Sequence, residues 1–163
     1  MFSHIMVGAN DVEASRKFYD AVLGTLGIPA GFTDDEGRVF YMSPTGVFAI
    51  TKPIDGAPAT AANGGTVGFA VADPATVAAW HAAGVANGGT TCEDPPGVRE
   101  GGMGRMYLAY LRDPSRQQAL LPAEHGLRPG SNNPRTRQAC RSPPSATAPS
   151  TATPIRCGSA STG

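Results

Sequence analysis

An internal duplication constrains the fold of this chain more than any other feature. The stretch Thr66–Asp73 aligns with His4–Asp11, 62 positions earlier (4 to 66, 11 to 73). Both stretches run from a short apolar, β-branched segment into an Asp that can cap a helix, which is typical of a strand followed by a helix. Because this period is too long for a solenoid repeat, we expect two modules that pack around one core.

Each copy is predicted to be a β-α-β-β-β unit, so the chain is expected to be an α+β protein. In the first copy, apolar side chains recur at helical spacing after the Asn10-Asp11 cap. Turn residues then separate three expected strands, which lie around Gly31-Phe32, at Arg38–Met42 and at Gly46–Thr51.

The second copy repeats this order. A strand is expected at Thr66–Val71, and Asp73-Pro74 combines an N-cap with a proline at the first helical position. Further strands are expected near Thr90–Glu93 and at Arg105–Leu111. The glycine-rich segment between them, Gly97–Gly104, is interpreted as a flexible loop, with a mobile lid as a hypothesis.

Composition separates a patterned body from a C-terminal tail. Residues 1–121 are predicted to be a single domain, with module one at about 1–53 and module two at about 64–121. Residues 122–163 hold 7 of the 15 prolines and no Phe, Tyr or Trp. Such a segment cannot bury enough apolar surface to offset the entropy of ordering its backbone. We therefore predict a disordered tail, rich in Pro, Ser, Thr and Arg.

The charge balance and the cysteines exclude several classes of protein. The chain has 13 basic and 13 acidic residues, and only 16% of its residues are charged, which argues against a nucleic-acid-binding protein. No apolar run approaches the roughly 20 residues of a membrane-spanning helix. Because no secretory signal is visible and the 3 cysteines lack metal-type spacing, we expect a cytoplasmic protein. The arginines of the tail also leave open that the chain is a structural or interaction module.

Three segments carry a resemblance to a known family. They are Asn10–Gly24, which follows a strand bearing His4, then Gly68–Pro74, and later Ala109–Pro114. In this order they resemble the vicinal oxygen chelate superfamily, which includes glyoxalase I, bleomycin-resistance proteins and extradiol dioxygenases. The resemblance covers residues 2 to about 115. It implies paired modules whose curved mixed sheets surround a cleft, and it makes a homodimer plausible.

The resemblance also implies four metal-ligand positions inside the cleft. His4 occupies the first, and the other three fall on Ala49, Thr66 and Leu120. Neither Ala nor Leu can coordinate a metal, and a Thr hydroxyl is a poor ligand for zinc, nickel or iron. We therefore expect neither a metal of the family type nor another cofactor, and His4 keeps a possible role as a cleft-wall donor or acid–base group.

Two functions remain open at this point. The first is binding of a small molecule in an apolar cleft without a metal, as in bleomycin-resistance proteins. The second is a metal-dependent lyase of the glyoxalase type or an extradiol-type dioxygenase, with His4 as the catalytic residue. In both cases the cleft is predicted to be lined by a histidine, a threonine and three aromatic residues, namely His4, Phe48, Thr66, Tyr107 and Tyr110.

The family pattern breaks after Asp113-Pro114. Related chains would continue with a glycine-containing turn and a closing strand, whereas Arg116–Leu120 reads Arg-Gln-Gln-Ala-Leu. These five residues can be encoded so that a shift of one base reads Gly-Asn-Lys-Leu, which resembles the missing turn and strand. We therefore hypothesise that the sequence from about Ser115 onward is a frameshifted reading of the natural C-terminus. Within the sequence as written, Gln117–Leu121 is the candidate substitute for the closing strand.

Overall fold

The first half of the chain folds as the predicted β-α-β-β-β unit. A computed structural model describes residues 2–102 and 104–124. The first five elements are β1 (His4–Gly8), α1 (Val12–Gly24), β2 (Phe32–Thr33), β3 (Val39–Ser43) and β4 (Gly46–Thr51). Their strands form one sheet in the order β1-β4-β3-β2, with β1 parallel to β4 and the other pairs antiparallel. The predicted tail lies outside the described residues from position 125 onward.

Helix α1 begins where the sequence places a cap. The side chain of Asp11 accepts a hydrogen bond from the backbone N–H of Ala14 at 2.9 Å, which satisfies one of the unpaired donors of the first turn. The neighbouring Asn10 has a different role. Its side-chain amide donates to the carbonyl of Ala59 and accepts from the N–H of the same residue. The helix buries one apolar face, made by Phe18, Tyr19, Val22 and Leu23.

The second half builds a second sheet with one strand more than predicted. Its elements are β5 (Val67–Gly68), α2 (Pro74–Ala86), β6 (Thr90–Thr91), β7 (Gly97–Gly101), β8 (Gly104–Arg112) and β9 (Gln118–Glu124). The main order is β5-β9-β8-β6, and β7 also pairs with β8. The α+β class and the paired modules predicted from the duplication are confirmed, and the sheets are not closed around a barrel.

The prediction of a flexible loop at Gly97–Gly104 was wrong. Strand β7 pairs antiparallel with β8 along its whole length, from Gly97 opposite Leu108 to Gly101 opposite Gly104. The guanidinium of Arg99 holds this hairpin, because it donates to the carbonyls of Leu108 at 3.0 Å and Asp94 at 2.8 Å. High glycine content favours a loop when the sequence is read alone. Here the cross-strand hydrogen bonds stabilise the strand although its glycines offer no side chains for packing.

Two strand boundaries also differ from expectation. Strand β5 is confined to Val67–Gly68, although a strand was expected over Thr66–Val71. Strand β9 supplies the closing strand from residues as written, and it continues to Glu124, beyond the predicted end of the body at residue 121. It pairs antiparallel with β8 and parallel with β5, so β9 serves as the last strand of the β-α-β-β-β unit in the second module.

The two modules share one hydrophobic core. Helix α1 packs on α2, and α2 packs on β8 and β9. The core side chains come from both helices and from the helix-facing side of both sheets, and the largest of them are Trp80, Tyr19, Tyr41 and Phe18. Because neither module could cover its own sheet alone, this common core explains why the duplicated unit occurs as a pair.

The turn between β8 and β9 contains a residue in a glycine-favouring conformation. Arg116 has a φ of 69°, in the left-handed region that an L side chain adopts only with strain. We predict that Arg116→Gly raises the free energy of unfolding by about 1 kcal/mol in urea titrations, since the strain is relieved. Arg116→Ala is the control, because it removes the side chain but keeps the strain. An equal gain from both variants would contradict the backbone explanation.

This position also bears on the C-terminal sequence. The shifted reading frame places glycine at position 116, where the backbone favours glycine. Strand β9 nevertheless forms from the residues as written, and the frameshift stays a hypothesis. Resequencing the gene through this point tests it.

Candidate functional site

A pocket lies beside β1 and β5, the edge strands of the two sheets. Among the described residues, β1 pairs only with β4 and β5 pairs only with β9, so each leaves one edge without a strand partner there. The pocket between them measures about 470 Å³, within the usual range of roughly 300–1,000 Å³ for small-molecule sites. Its wall includes residues from both modules, among them His4, Tyr41, Phe48, Val67, Gly68 and Phe69.

The floor of the pocket is aromatic and joins the modules. The ring of Phe48, on β4, meets the ring of Phe69, just after β5, edge to face with centroids 5.2 Å apart. Phe48 also packs on Tyr19 of α1, with centroids 4.6 Å apart. Such tilted and edge-to-face pairs are favourable arrangements of aromatic rings. The floor is therefore continuous with the shared core.

The described lining of the pocket contains no Asp, Glu, Lys or Arg. Tyr41 remains a neutral phenol, because burial, followed by the nearby charge of Asp20, raises its pKa far above the ordinary value. Its hydroxyl donates to the backbone carbonyl of Arg16 at 3.3 Å. A charged ligand would lose hydration here without gaining an ionic partner from these side chains.

His4 lies at the corner of the pocket and is exposed. Its Nδ1 is 3.0 Å from the hydroxyl of Ser3, and no described residue hydrogen-bonds Nε2. In the register of β1 and β4, His4 lies opposite Val47 and Met6 lies opposite Ala49. Since side chains alternate along a strand, these four point away from the face that carries Phe48 into the core.

The four family ligand positions do not make a metal site. Ala49 is fully buried on β4, Thr66 precedes β5, and Leu120 lies opposite Gly68 on β9. Only His4 among them carries a good donor atom for a transition metal. Within residues 2–102 and 104–124, no group of three or more His, Cys, Asp and Glu side chains gathers that could hold a metal ion. The residues present do not fit the metal that the resemblance implies.

Two of the five predicted cleft residues lie in the wall of this pocket. His4 and Phe48 line the pocket, and Thr66 lies next to its wall residue Val67. Tyr107 is half-buried against the core, whereas Tyr110 lies on the other face of β8, where the guanidinium of Arg99 is 5.7 Å from its ring centroid. The odd separation of these two tyrosines on one strand already predicts opposite faces.

Sequence reasoning missed the contribution of β5. Gly68 and Phe69 line the pocket, yet neither was singled out as a site residue. The available signal was a glycine inside a predicted strand, which often marks a close approach of another backbone or a ligand. Tyr41 also lines the pocket.

Comparisons with known proteins agree with this architecture of paired modules. The family model of the Glyoxalase/Bleomycin resistance protein/Dioxygenase superfamily matches residues 1–118. The chain belongs to this family. None of the described helices is long and apolar enough to cross a membrane.

Several solved structures resemble the chain. A glyoxalase/bleomycin resistance protein from Albidiferax ferrireducens T118 shares 58% sequence identity, with a TM-score of 0.74 over 76% of this chain and 99% of that one. A glyoxalase-related enzyme from Fulvimarina pelagi is 21% identical, with a TM-score of 0.59 over 76% and 88%. A lactoylglutathione lyase from Agrobacterium tumefaciens is 19% identical, with a TM-score of 0.54 over 76% and 92%. The last two support the fold alone. Comparison with curated proteins found no match.

Proposed function

We propose that this protein binds a small molecule in the pocket between β1 and β5 and does so without a metal ion. The observation that carries this proposal is an apolar pocket with an aromatic floor, at which only His4 of the four family metal-ligand positions carries a good donor atom. Apolar surface with a few polar groups is the usual composition of a small-molecule site. The activity is of the bleomycin-resistance type, in which binding itself is the function.

Metal retention tests the metal-free part of this proposal. The purified protein is incubated with nickel, zinc, iron or manganese, desalted, and analysed for its elements beside a His4→Ala variant. We expect both proteins to retain well below one metal ion per chain. Near-stoichiometric metal that disappears in the variant would contradict the proposal.

The second candidate function is enzymatic. His4 has an Nε2 that no described residue occupies, at the edge of the pocket, so it could exchange a proton with a bound molecule. A glyoxalase-type lyase or an extradiol-type dioxygenase would also need metal ligands beyond the four family positions. The metal-retention result therefore separates the two functions, because only the enzyme requires the His4-dependent metal.

We also propose that two copies of the chain associate through the open face of the first sheet. This face, turned away from the helices, carries Met6, Phe32, Phe40 and Met42. Phe32 and Met42 are 54% and 55% exposed, unusually high for large apolar side chains, and Phe32 stacks on Phe40. Exposed apolar patches of this kind are typical of protein interfaces.

Sedimentation equilibrium measures this association. We expect a dimer, and we expect Met42→Glu to weaken it at least about tenfold, because a carboxylate would be desolvated without a partner. Ile54→Glu is the matched control, since Ile54 is fully exposed and lies outside the strands, three residues after the end of β4. Equal effects of the two substitutions would overturn the assignment of this face.

Composition also bears on nucleic-acid and membrane partners. Because the chain has a balanced charge and the described pocket lining has no Lys or Arg, we propose a cytoplasmic protein with neither nucleic-acid nor membrane partners. Location of a tagged full-length chain in fractionated cells tests this.

A further inference from the structure

The pocket is bordered by unpaired backbone groups of both modules. In the ladder between β1 and β4, the N–H of Val47 donates to Ser3 and the N–H of Ala9 donates to Thr51. Odd-numbered residues of this segment therefore bond to β4, and the peptide groups of His4 and Met6 point to the open edge. On the other side, the N–H of Phe69 donates to Leu120, so the N–H and carbonyl of Gly68 point away from β9.

One end of the β1 edge is already capped from the second module. The side-chain amide of Gln117 donates to the carbonyl of Gly8 at 3.2 Å and to that of Thr60 at 2.9 Å. No described residue makes a comparable bond to the backbone of His4, Met6 or Gly68. The free part of the β1 edge is thus three residues long, from His4 to Met6, or about 7 Å at the rise of a strand. His4 and Ile5 line the pocket, and Met6 continues the same edge beyond the lining.

We propose that the ligand of this pocket is an uncharged, apolar, peptide-like molecule of about three residues, bound in extended form between the edges of β1 and β5. This inference rests on the proposed function. Strand edges present alternating donors and acceptors, and an added strand is the ligand that satisfies them. A simple hydrocarbon or phenol would leave these peptide groups unpaired.

The side chains of the pocket set the rest of the ligand class. Phe48 and Phe69 provide an aromatic floor for an apolar side chain of the ligand. The described lining has no Asp, Glu, Lys or Arg, and His4, at the rim, is its one ionisable side chain besides the neutral phenol of Tyr41. A charged side chain of the ligand over the aromatic floor would therefore lose hydration without an ionic partner. Both ends of the bound segment are therefore blocked or lie outside the pocket.

Matched ligands test this proposal on the full chain by isothermal titration calorimetry. The probe is the capped tripeptide N-acetyl-Val-Phe-Val-N-methylamide. Two analogues each carry one N-methylated internal peptide bond, a third has glutamate in place of phenylalanine, and 1-naphthol serves as a neutral ligand without an amide. We expect the capped tripeptide to bind and at least one N-methylated analogue and the glutamate analogue to bind at least tenfold more weakly.

A protein variant locates the contact. Gly68→Pro removes the N–H that faces the pocket, whereas Gly68→Ala keeps it and meets only Leu120, at 3.9 Å. We expect only the proline variant to lose tripeptide binding tenfold or more. If that variant does not fold, the N-methylated pair decides on the unaltered protein.

The outcomes separate the two proposals. Binding of 1-naphthol as tight as that of the tripeptide, with no effect of N-methylation, overturns the peptide inference and leaves a small-molecule site. Equal binding of the glutamate analogue overturns the uncharged class. Failure of the tripeptide and of 1-naphthol alike overturns the peptide inference and removes the support for binding at this pocket.

Discussion

Replacing Trp80 by alanine is expected to lower the free energy of unfolding by about 3–5 kcal/mol, the range for removing a large aromatic side chain from a core. Trp80 lies on α2 and is the largest fully buried side chain in the described residues. Helix α2 packs on α1 and on β8 and β9, so the cavity would open where both modules meet. Urea unfolding followed by circular dichroism measures the loss, because Trp80 is the only tryptophan and its fluorescence disappears with it.

Two variants of the same helix give this measurement its controls. Trp80→Phe should lose roughly 1–2 kcal/mol, since it removes volume but no hydrogen bond: the indole Nε1 has no partner among the described residues. Val85→Ala, at a position 47% exposed, should stay within about 0.5 kcal/mol of the parent protein. A loss from Trp80→Ala no larger than that from Val85→Ala would mean that α2 is not part of a shared core.

The duplication and the helix caps made most of the fold predictable. Both helices begin at predicted caps: Asn10-Asp11 was predicted for α1, where Asp11 is the N-cap, and Asp73-Pro74 was predicted for α2. Such signals act locally and need no tertiary partner. Strand β4 occupies Gly46–Thr51 as predicted. The failures are β5 and β7, whose extents depend on which strand pairs with them. Gly97–Gly101 becomes a strand only because β8 and Arg99 supply its partners.

The candidate site was less predictable than the fold, for a physical reason. A family position fixes which residue lies on which strand, as for His4, and the aromatic pattern of the strands suggested Phe48; both residues lie in the wall of the pocket. It does not fix how two open sheets approach one another. The pocket between β1 and β5 depends on that approach, and its backbone edges carry no side-chain signal in the sequence. The faces of Tyr107 and Tyr110, in contrast, follow from strand alternation alone.

Removal of the Asp113 carboxylate is expected to cost about 2–4 kcal/mol, because two buried donors would lose their acceptor. Asp113 is 3% exposed at the end of β8. One oxygen accepts from the hydroxyl of Tyr19 on α1 at 3.0 Å, and the other accepts from the backbone N–H of Gln117 at 2.8 Å. The carboxylate thereby joins the first module to the β8–β9 turn. Asp113→Ala should show this loss in urea unfolding, whereas Asp113→Asn keeps an oxygen for Gln117 and should lose much less.

The same pair of proteins, parent and Asp113→Asn, gives a pH dependence of known sign. Burial raises the pKa of Asp113 above its ordinary value, although the hydrogen bonds from Gln117 and Tyr19 act in the opposite direction. The folded state therefore binds this proton more tightly than the unfolded chain, where an Asp titrates near about 3.9. The stability that protonation of Asp113 contributes is fully present below that value and is lost as the pH rises through the raised folded pKa.

Asp113→Asn removes this titration while keeping the other ionisable groups. Between about pH 7 and pH 4, the unfolding free energy of the parent should therefore rise relative to that of the variant as the pH falls. Asp34 and Asp73, whose pKa values are lowered by hydrogen bonds, act in the opposite sense but are common to both proteins and cancel in the difference. A difference that stays constant, or that changes in favour of the variant as the pH falls, would show that Asp113 is not held in a carboxylate-destabilising environment.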